Sequence, residues 1–236
     1  GNIHAEYIVN AGGLWAREVG RMANVHLPVV PMEHHYLITE EIEQIANLPE
    51  GRRLPHCIDF EANIYLRQEN TGMLLGTYEP HSTPWSLDGT PQNFGHDLLE
   101  PKLERIADRL ELAFERIPAL GTAGIKDKIN GPFVFSPDGN PMIGPVPGVK
   151  NYWVAVGVMA GFCQAGGVGR SLSEWMIEGE PSIDVWAMDI ARFGSFATPQ
   201  WGVIKSSENY ERRFVMTFPN ETLPKGRRQK TTSLYD

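Results

Sequence analysis

Apolar positions along the chain switch between two periods, and the switches mark out its elements. AEYIVN (Ala5–Asn10) predicts a short buried strand. It runs into AGGLWAREVGRMA, where Leu14, Glu18 and Met22 recur at helical spacing behind a glycine turn. Val29–Thr39 alternates as a strand, with His34, Tyr36 and Ile38 on one face and Glu33, His35 and Leu37 on the other. Cys57–Phe60, Ile64–Arg67 and Met73–Tyr78 predict short strands joined as an antiparallel meander through Glu61-Ala62-Asn63 and Asn70-Thr71-Gly72. His81–Gly95, rich in Pro, Gly, Ser and Thr, predicts a loop. Asp97–Ile117 predicts an amphipathic helix with Leu99, Leu103, Ile106, Leu110 and Phe114 on one stripe, closed by Pro118. Gly124–Phe135 returns as a strand, and Ser136–Pro145 is a turn-rich excursion.

The stretch Asn151–Gly179 organises the rest. A strand, Tyr152–Val156, passes Gly157, Gly161, Gly166, Gly167 and Gly169 before a helical pattern takes over at Arg170–Ile177. Glycines between a strand and a helix let bare backbone approach a ligand, and the free N–H groups of the first helical turn point at it. The spacing is not the G-x-G-x-x-G of a dinucleotide turn, and tight packing turns in α/β proteins have it too. With Ala5–Met22 it makes two strand–glycine–helix junctions, which suggests one ligand touched from both. After Gly179 the pattern weakens, through Phe193, Phe196, Trp201 and Tyr210, into the tail LPKGRRQKTTSLYD.

A net charge of −8 excludes non-specific nucleic-acid binding, and the basic residues Lys225, Arg227, Arg228 and Lys230 are too few beside Gly and Pro to change that. Only Cys57 and Cys163 are present, far apart, which suggests a reducing compartment: cytoplasm, or mitochondrial matrix in a eukaryote. No apolar run reaches membrane-spanning length. The histidines are scattered, and the adjacent pair His34-His35 points to opposite faces, so no metal site is expected. There is no G-x-S-x-G elbow, and Cys163 has no histidine near it in sequence to activate it. The sequence starts at Gly1 in mid-pattern and reads as an excerpt of something longer.

The segments VNAGGLWAREVG, PMEHHYLITE, YLRQENTGMLLGTYE and SPDGNPMIGPVPGVKNYWVAVGVMAGFCQAGGVGRSLSEWMIEGEPSIDV, in that order, resemble the C-terminal half of the FAD-dependent amine oxidoreductases. Within that family they are most similar to the dimethylglycine and sarcosine dehydrogenases. The resemblance implies an α/β fold of α+β character: part of an FAD-binding lobe (residues 1–27 and 141–180), a mixed-sheet substrate lobe (28–140), and a connector into a following domain (181–236). The N-terminal βαβ that cradles the pyrophosphate would be missing, so these residues alone should bind FAD poorly.

By resemblance, Asn10, Ala11 and Gly12 contact the adenosine side of FAD, and Gly157, Val158, Met159, Ala160, Gly161 and Phe162 lie beside its ring. Tyr65, Tyr78, Glu79 and His34, with Tyr36 as a neighbour, are the implied catalytic candidates; the aromatic ones are equally at home as core packing. The implied chemistry is oxidation of an N-methyl group by hydride transfer to the flavin. The one-carbon unit would pass to water or, through a downstream domain, to folate. Sarcosine oxidases of the family carry lysines where Leu74 and Cys163 stand here, which implies a dehydrogenase that reduces an electron-transfer flavoprotein or similar acceptor rather than oxygen. The alternative is a non-catalytic or split-subunit scaffold that does not bind FAD by itself.

Overall fold

A computed structural model describes residues 1–219, 221, 223 and 225. Arg227, Arg228 and Lys230 lie outside the described residues. Two sheets organise the fold. The smaller joins β1 (Ile8–Asn10), β8 (Tyr152–Val156) and β7 (Met142–Pro145) in that order, with β1 parallel and β7 antiparallel to the central β8. The larger is antiparallel throughout, in the order β3 (Cys57–Asp59), β4 (Ile64–Glu69), β5 (Gly72–Thr77), β2 (Val30–Thr39) and β6 (Ile125–Phe135).

The alternation in β2 and β4 gives the larger sheet two different faces. One carries Leu37, Ile64 and Leu66 into a core with Leu75, Ile106, Leu110 and Ala113. Helices α2 (Glu43–Ala46), α3 (Ala107–Arg116) and α4 (Pro118–Thr122) cover it. The other face carries Val30, Met32, Tyr78 and Phe135, with Tyr65 and Phe133 beside them. Helix α6 (Pro199–Glu211) adds Tyr210 to that face, and Met159 of the glycine loop packs on it. In the smaller sheet Met142, Tyr152, Val154 and Val156 pack with Ala16 of α1 (Ala16–Met22), while Ile143 meets Val168 of α5 (Gly161–Glu178) on the other side.

Several expectations are corrected. The Asp97–Ile117 helix is confined to Ala107–Arg116 behind a short 3₁₀ turn at Leu103–Arg105. Pro101 disfavours helix in the residue before it, and the Leu99 N–H is tied to the Asn130 carbonyl at 2.8 Å, along β6. The first strand is not buried: it is the edge of its sheet, and Ile8 and Val9 are exposed. On α1 the buried residues are Ala16, Arg17 and Gly20, not the Leu14–Glu18–Met22 stripe; Met22 is exposed.

The turn-rich Ser136–Pro145 contains β7. The glycine run is not a loop, because α5 starts at Gly161, nine residues before Arg170. The packing of Val168 and Leu172 on the protein side outweighs a glycine cost of about 1 kcal/mol per residue. The weakly patterned span after Gly179 contains α6, whose start does carry a signal: Thr198 caps the Trp201 N–H, and Pro199 follows at the first turn.

Candidate active site

The glycine loop and the first junction meet as expected. β1 pairs with β8 so that Asn10 lies opposite Val154. Ala11 then lines one cavity of about 670 Å³ with Val158, Met159, Gly161, Phe162 and Gly169. Gly157 is the turning point, at φ +67°, where a residue with a Cβ is strained. Gly161, by contrast, is the first residue of α5 and has no positive φ.

Helix α5 begins without a side-chain cap, and Phe162 is fully exposed. A Cβ built on Gly161, Gly166, Gly167 or Gly169 would meet no atom within 4 Å. The protein's own packing therefore does not require these glycines. The result is a bare apolar ledge with a partial positive charge at one end. A flat ring system with a polar edge fits it.

Asn10 has a different task. Its amide donates to the Ala16 carbonyl at 2.9 Å and to Tyr152 Oη at 3.1 Å, and its Oδ1 accepts the Gly12 N–H at 3.0 Å. It braces the turn, so of the three residues expected on the adenosine side only Ala11 lines the cavity.

Met159 of the ledge also packs against the cluster that includes Tyr78 and Tyr210, and that cluster borders an aromatic wall. His34, Tyr36, Tyr65, Tyr78 and Phe133 line a second cavity of about 480 Å³. The Tyr65 and His34 rings are nearly parallel, at 7°, and Tyr78 lies 4.8 Å from His34 between centroids. Tyr65 reaches His34 by lying flat over β5, and this requires Gly76: a Cβ there would sit 1.9 Å from the Tyr65 ring. His34 Nε2 is 2.8 Å from Tyr65 Oη, and His34 Nδ1 is 3.0 Å from Tyr210 Oη. Tyr210 donates to Glu79 Oε2 at 2.8 Å. Glu79 Oε1 accepts from Arg105 at 2.8 Å, and the same guanidinium donates to Glu33 at 2.9 Å. Lys102 and Asn130 complete the shell around Glu33.

Of the sequence candidates, the structure brings His34, Tyr65 and Tyr78 into direct contact and places Glu79 one residue further in. Tyr210, Arg105 and Phe133 were not anticipated. Tyr210 stands 131 positions from Glu79, and no local period could relate them.

Burial dominates the electrostatics. It pulls the His34 imidazolium down to about 3, helped by His35, and His35 down to about 4, helped by Arg105. Burial raises Tyr65 and Tyr210, and pushes Tyr78 up to about 12 against Arg213. Burial also raises Glu79, although Tyr210 and Arg105 oppose it. At Glu33 burial is outweighed by Asn130, Lys102 and Arg105, and the carboxyl is lowered.

Both histidines are thus neutral in the fold, whereas in the unfolded chain they titrate near pH 6.5. Below that pH the unfolded state binds protons that the folded state refuses, so stability falls with pH. The expected result is a melting temperature level above pH 7 that drops as pH falls from about 6.5 to about 4, with a shallower drop in His35→Gln. A flat profile over that window would contradict the assignment.

The apolar ledge at the start of α5 has the shape to seat a flat ring system, and the histidine–tyrosine wall lines a separate cavity. The family models agree. "FAD dependent oxidoreductase" matches residues 1–175, and "FAD dependent oxidoreductase central domain" matches residues 178–232. The chain belongs to the FAD-dependent oxidoreductase family.

Among curated proteins it is 42% identical to mouse (Mus musculus) dimethylglycine dehydrogenase, mitochondrial, over 100% of this chain and 28% of that protein. It is 34% identical to human (Homo sapiens) sarcosine dehydrogenase, mitochondrial, over 100% of this chain and 25% of that protein. The chain therefore spans about a quarter of the length of these curated relatives. Among solved structures, L-proline dehydrogenase from P. horikoshii superposes with a TM-score of 0.63 at 27% identity, over 79% of this chain and 46% of that one.

Proposed function

We propose that these residues form the substrate wall and part of the cofactor ledge of a flavin-dependent dehydrogenase that oxidises an N-methyl amino acid of the dimethylglycine or sarcosine type. The observation that carries this reading is the contact of Met159, a residue of the ledge, with the aromatic cluster that Tyr65 and Tyr78 also join. Whole-chain identity to enzymes named for those two amines supports the substrate class.

FAD, when bound, supplies the hydride acceptor. The chain does the rest. Ala11, Val158, Met159, Gly161 and Phe162 would seat the ring, and the start of α5 would offer it N–H donors. Tyr78 and Phe133 give the substrate an aromatic wall, which attracts a charged methylammonium. Tyr65 receives the ammonium proton as its own hydroxyl proton passes to Nε2 of the neutral His34, so that the nitrogen lone pair is free when the N-methyl group gives up hydride. Met159 and the packed rings around it keep water from the reacting carbon.

No helix among the described residues is long and apolar enough to cross a membrane, and no cluster among them could hold a metal ion. Cys57 and Cys163 are both free thiols, in keeping with a reducing compartment, cytoplasmic or mitochondrial matrix. The absence of lysine at Leu74 and Cys163 favours delivery of electrons to a protein acceptor such as an electron-transfer flavoprotein. A domain beyond this chain would pass the one-carbon unit to folate.

The test is anaerobic mixing of the flavin-loaded full-length protein with N,N-dimethylglycine and with sarcosine. Bleaching of the oxidised-flavin band by either amine is expected. A bound flavin that neither amine reduces would overturn the substrate class, and a colourless protein would favour a non-catalytic scaffold.

A further inference from the structure

His34 takes its two polar partners from opposite ends of the chain. Nε2 meets Tyr65 Oη on β4, and Nδ1 meets Tyr210 Oη on α6. The protons in this chain have one consistent direction. Tyr210 has a single hydroxyl proton and gives it to the Glu79 carboxylate at 2.8 Å. Its oxygen then accepts, so His34 Nδ1 carries the hydrogen. A neutral imidazole with hydrogen on Nδ1 has its lone pair on Nε2, and Tyr65 must donate there. The Tyr65 oxygen is left with its acceptor capacity turned to the cavity that His34, Tyr65 and Tyr78 line.

We propose that Tyr210 and Glu79 are positioning residues for this pair: they hold His34 in the Nδ1–H tautomer and form the inner end of a relay that draws the substrate's ammonium proton away from the cavity. This rests on the amine-oxidising reading above, gives the candidate Glu79 a defined role and adds Tyr210, which lies in the segment matched by the central-domain model.

The transfer balances. The ammonium N–H breaks as an O–H forms on Tyr65, whose own proton moves to His34 Nε2. The Nδ1 proton moves to Tyr210, and the Tyr210 proton moves to Glu79 Oε2. One proton leaves the substrate and one arrives on the carboxylate; no electrons are exchanged. The amine is left with a lone pair, His34 is neutral in its other tautomer, and Glu79 is neutral.

The surroundings suit Glu79 to the inner end. It is buried, and burial favours its protonated form. The groups acting on it are Arg105 on Oε1, Tyr210 on Oε2 and Glu33 across Arg105, with Tyr78 and its neighbour Arg213 beside it. Among the described residues Arg105 is the one cation in direct contact, and it is shared with Glu33, so its hold on the Glu79 charge is partial.

The experiment uses the full-length flavin-loaded protein, Tyr210→Phe and Glu79→Gln. Histidine ¹⁵N NMR reads the tautomer without turnover. A single Nδ1–H form is expected in the parent and in Glu79→Gln, whose amide oxygen still accepts from Tyr210, but not in Tyr210→Phe. Turnover of N,N-dimethylglycine is then followed against pH. Both variants should lose about tenfold or more at pH 7, with the activity limb moved by about one unit or more to alkaline pH and recovery at high pH, where the free amine enters already deprotonated.

A role in packing alone would lower the rate by the same factor at every pH, and that result overturns the relay, as does an Nε2–H tautomer in the parent. If Tyr210→Phe does not fold, the Glu79→Gln profile decides. A parent that oxidises no N-methyl amine overturns the functional reading and the relay's catalytic role together. A parent that does, with variants that keep its pH profile, overturns the relay alone.

Discussion

Tyr65→Phe is expected to slow flavin reduction by an N-methyl amino acid by about 10²-fold or more at neutral pH, with flavin content unchanged. The substitution is local. The ring keeps its bed over Gly76 and its parallel contact with His34, since only the hydroxyl is removed. The hydrogen bond to His34 Nε2 is lost, which costs about 1 kcal/mol of stability. What disappears functionally is the hydroxyl that exchanges protons between the cavity and His34, whose imidazole is held neutral by burial. Stopped-flow reduction under anaerobic conditions measures this directly. A rate within threefold of the parent, with normal substrate affinity, would remove Tyr65 from the chemistry.

The second large effect separates two glycines four residues apart. Gly161→Val should abolish or strongly reduce flavin binding while the apoprotein melts almost as before. Position 161 is helical, it has no positive φ, and a Cβ there meets no packing partner within 4 Å. The valine would instead fill the ledge on which the ring lies. It would push the ring from the helix N–H groups, where one well-placed donor is worth roughly 3 kcal/mol in a transition state.

Gly157→Val should do the opposite. At φ +67° a β-branched residue costs about 1–3 kcal/mol whether or not cofactor is present. Paired melts of apo and flavin-loaded protein distinguish the two. Equal losses in both forms for Gly161→Val would make it a folding residue and remove the ledge from the account.

Much of this site was legible in the sequence, for reasons that differ by residue. Alternation in Val29–Thr39 placed His34 and Tyr36 on one face because a strand's period is fixed by its backbone, and both line the same cavity. Tyr152–Val156 was bounded correctly, since its aromatic and β-branched residues end at a glycine that must turn. Period alone failed at Asp97–Ile117, where Leu99 fits the helical stripe yet its N–H is bound to Asn130.

The run after Gly161 failed in the opposite sense. Glycine propensity argued for a loop, and packing of one helix face decided otherwise. Tyr210 carried no readable signal. Its place beside His34 is made by α6 crossing β2, a long-range contact that only the folded chain contains. Glu79 was a candidate through its resemblance-implied neighbour Tyr78, but its bond to Arg105 depends on a short 3₁₀ turn that was read as helix.

On the proposed function, the glycine ledge and the His34–Tyr65 wall are two sides of one active site. The most direct test is a crystal structure of the FAD-loaded full-length protein with trimethylglycine, a quaternary analogue that has no lone pair and is not oxidised. The flavin ring is expected against Ala11 and Val158–Phe162, with the trimethylammonium group in the cavity lined by Tyr65, Tyr78 and Phe133. A ring seated elsewhere, or an analogue bound away from Tyr65, would contradict it.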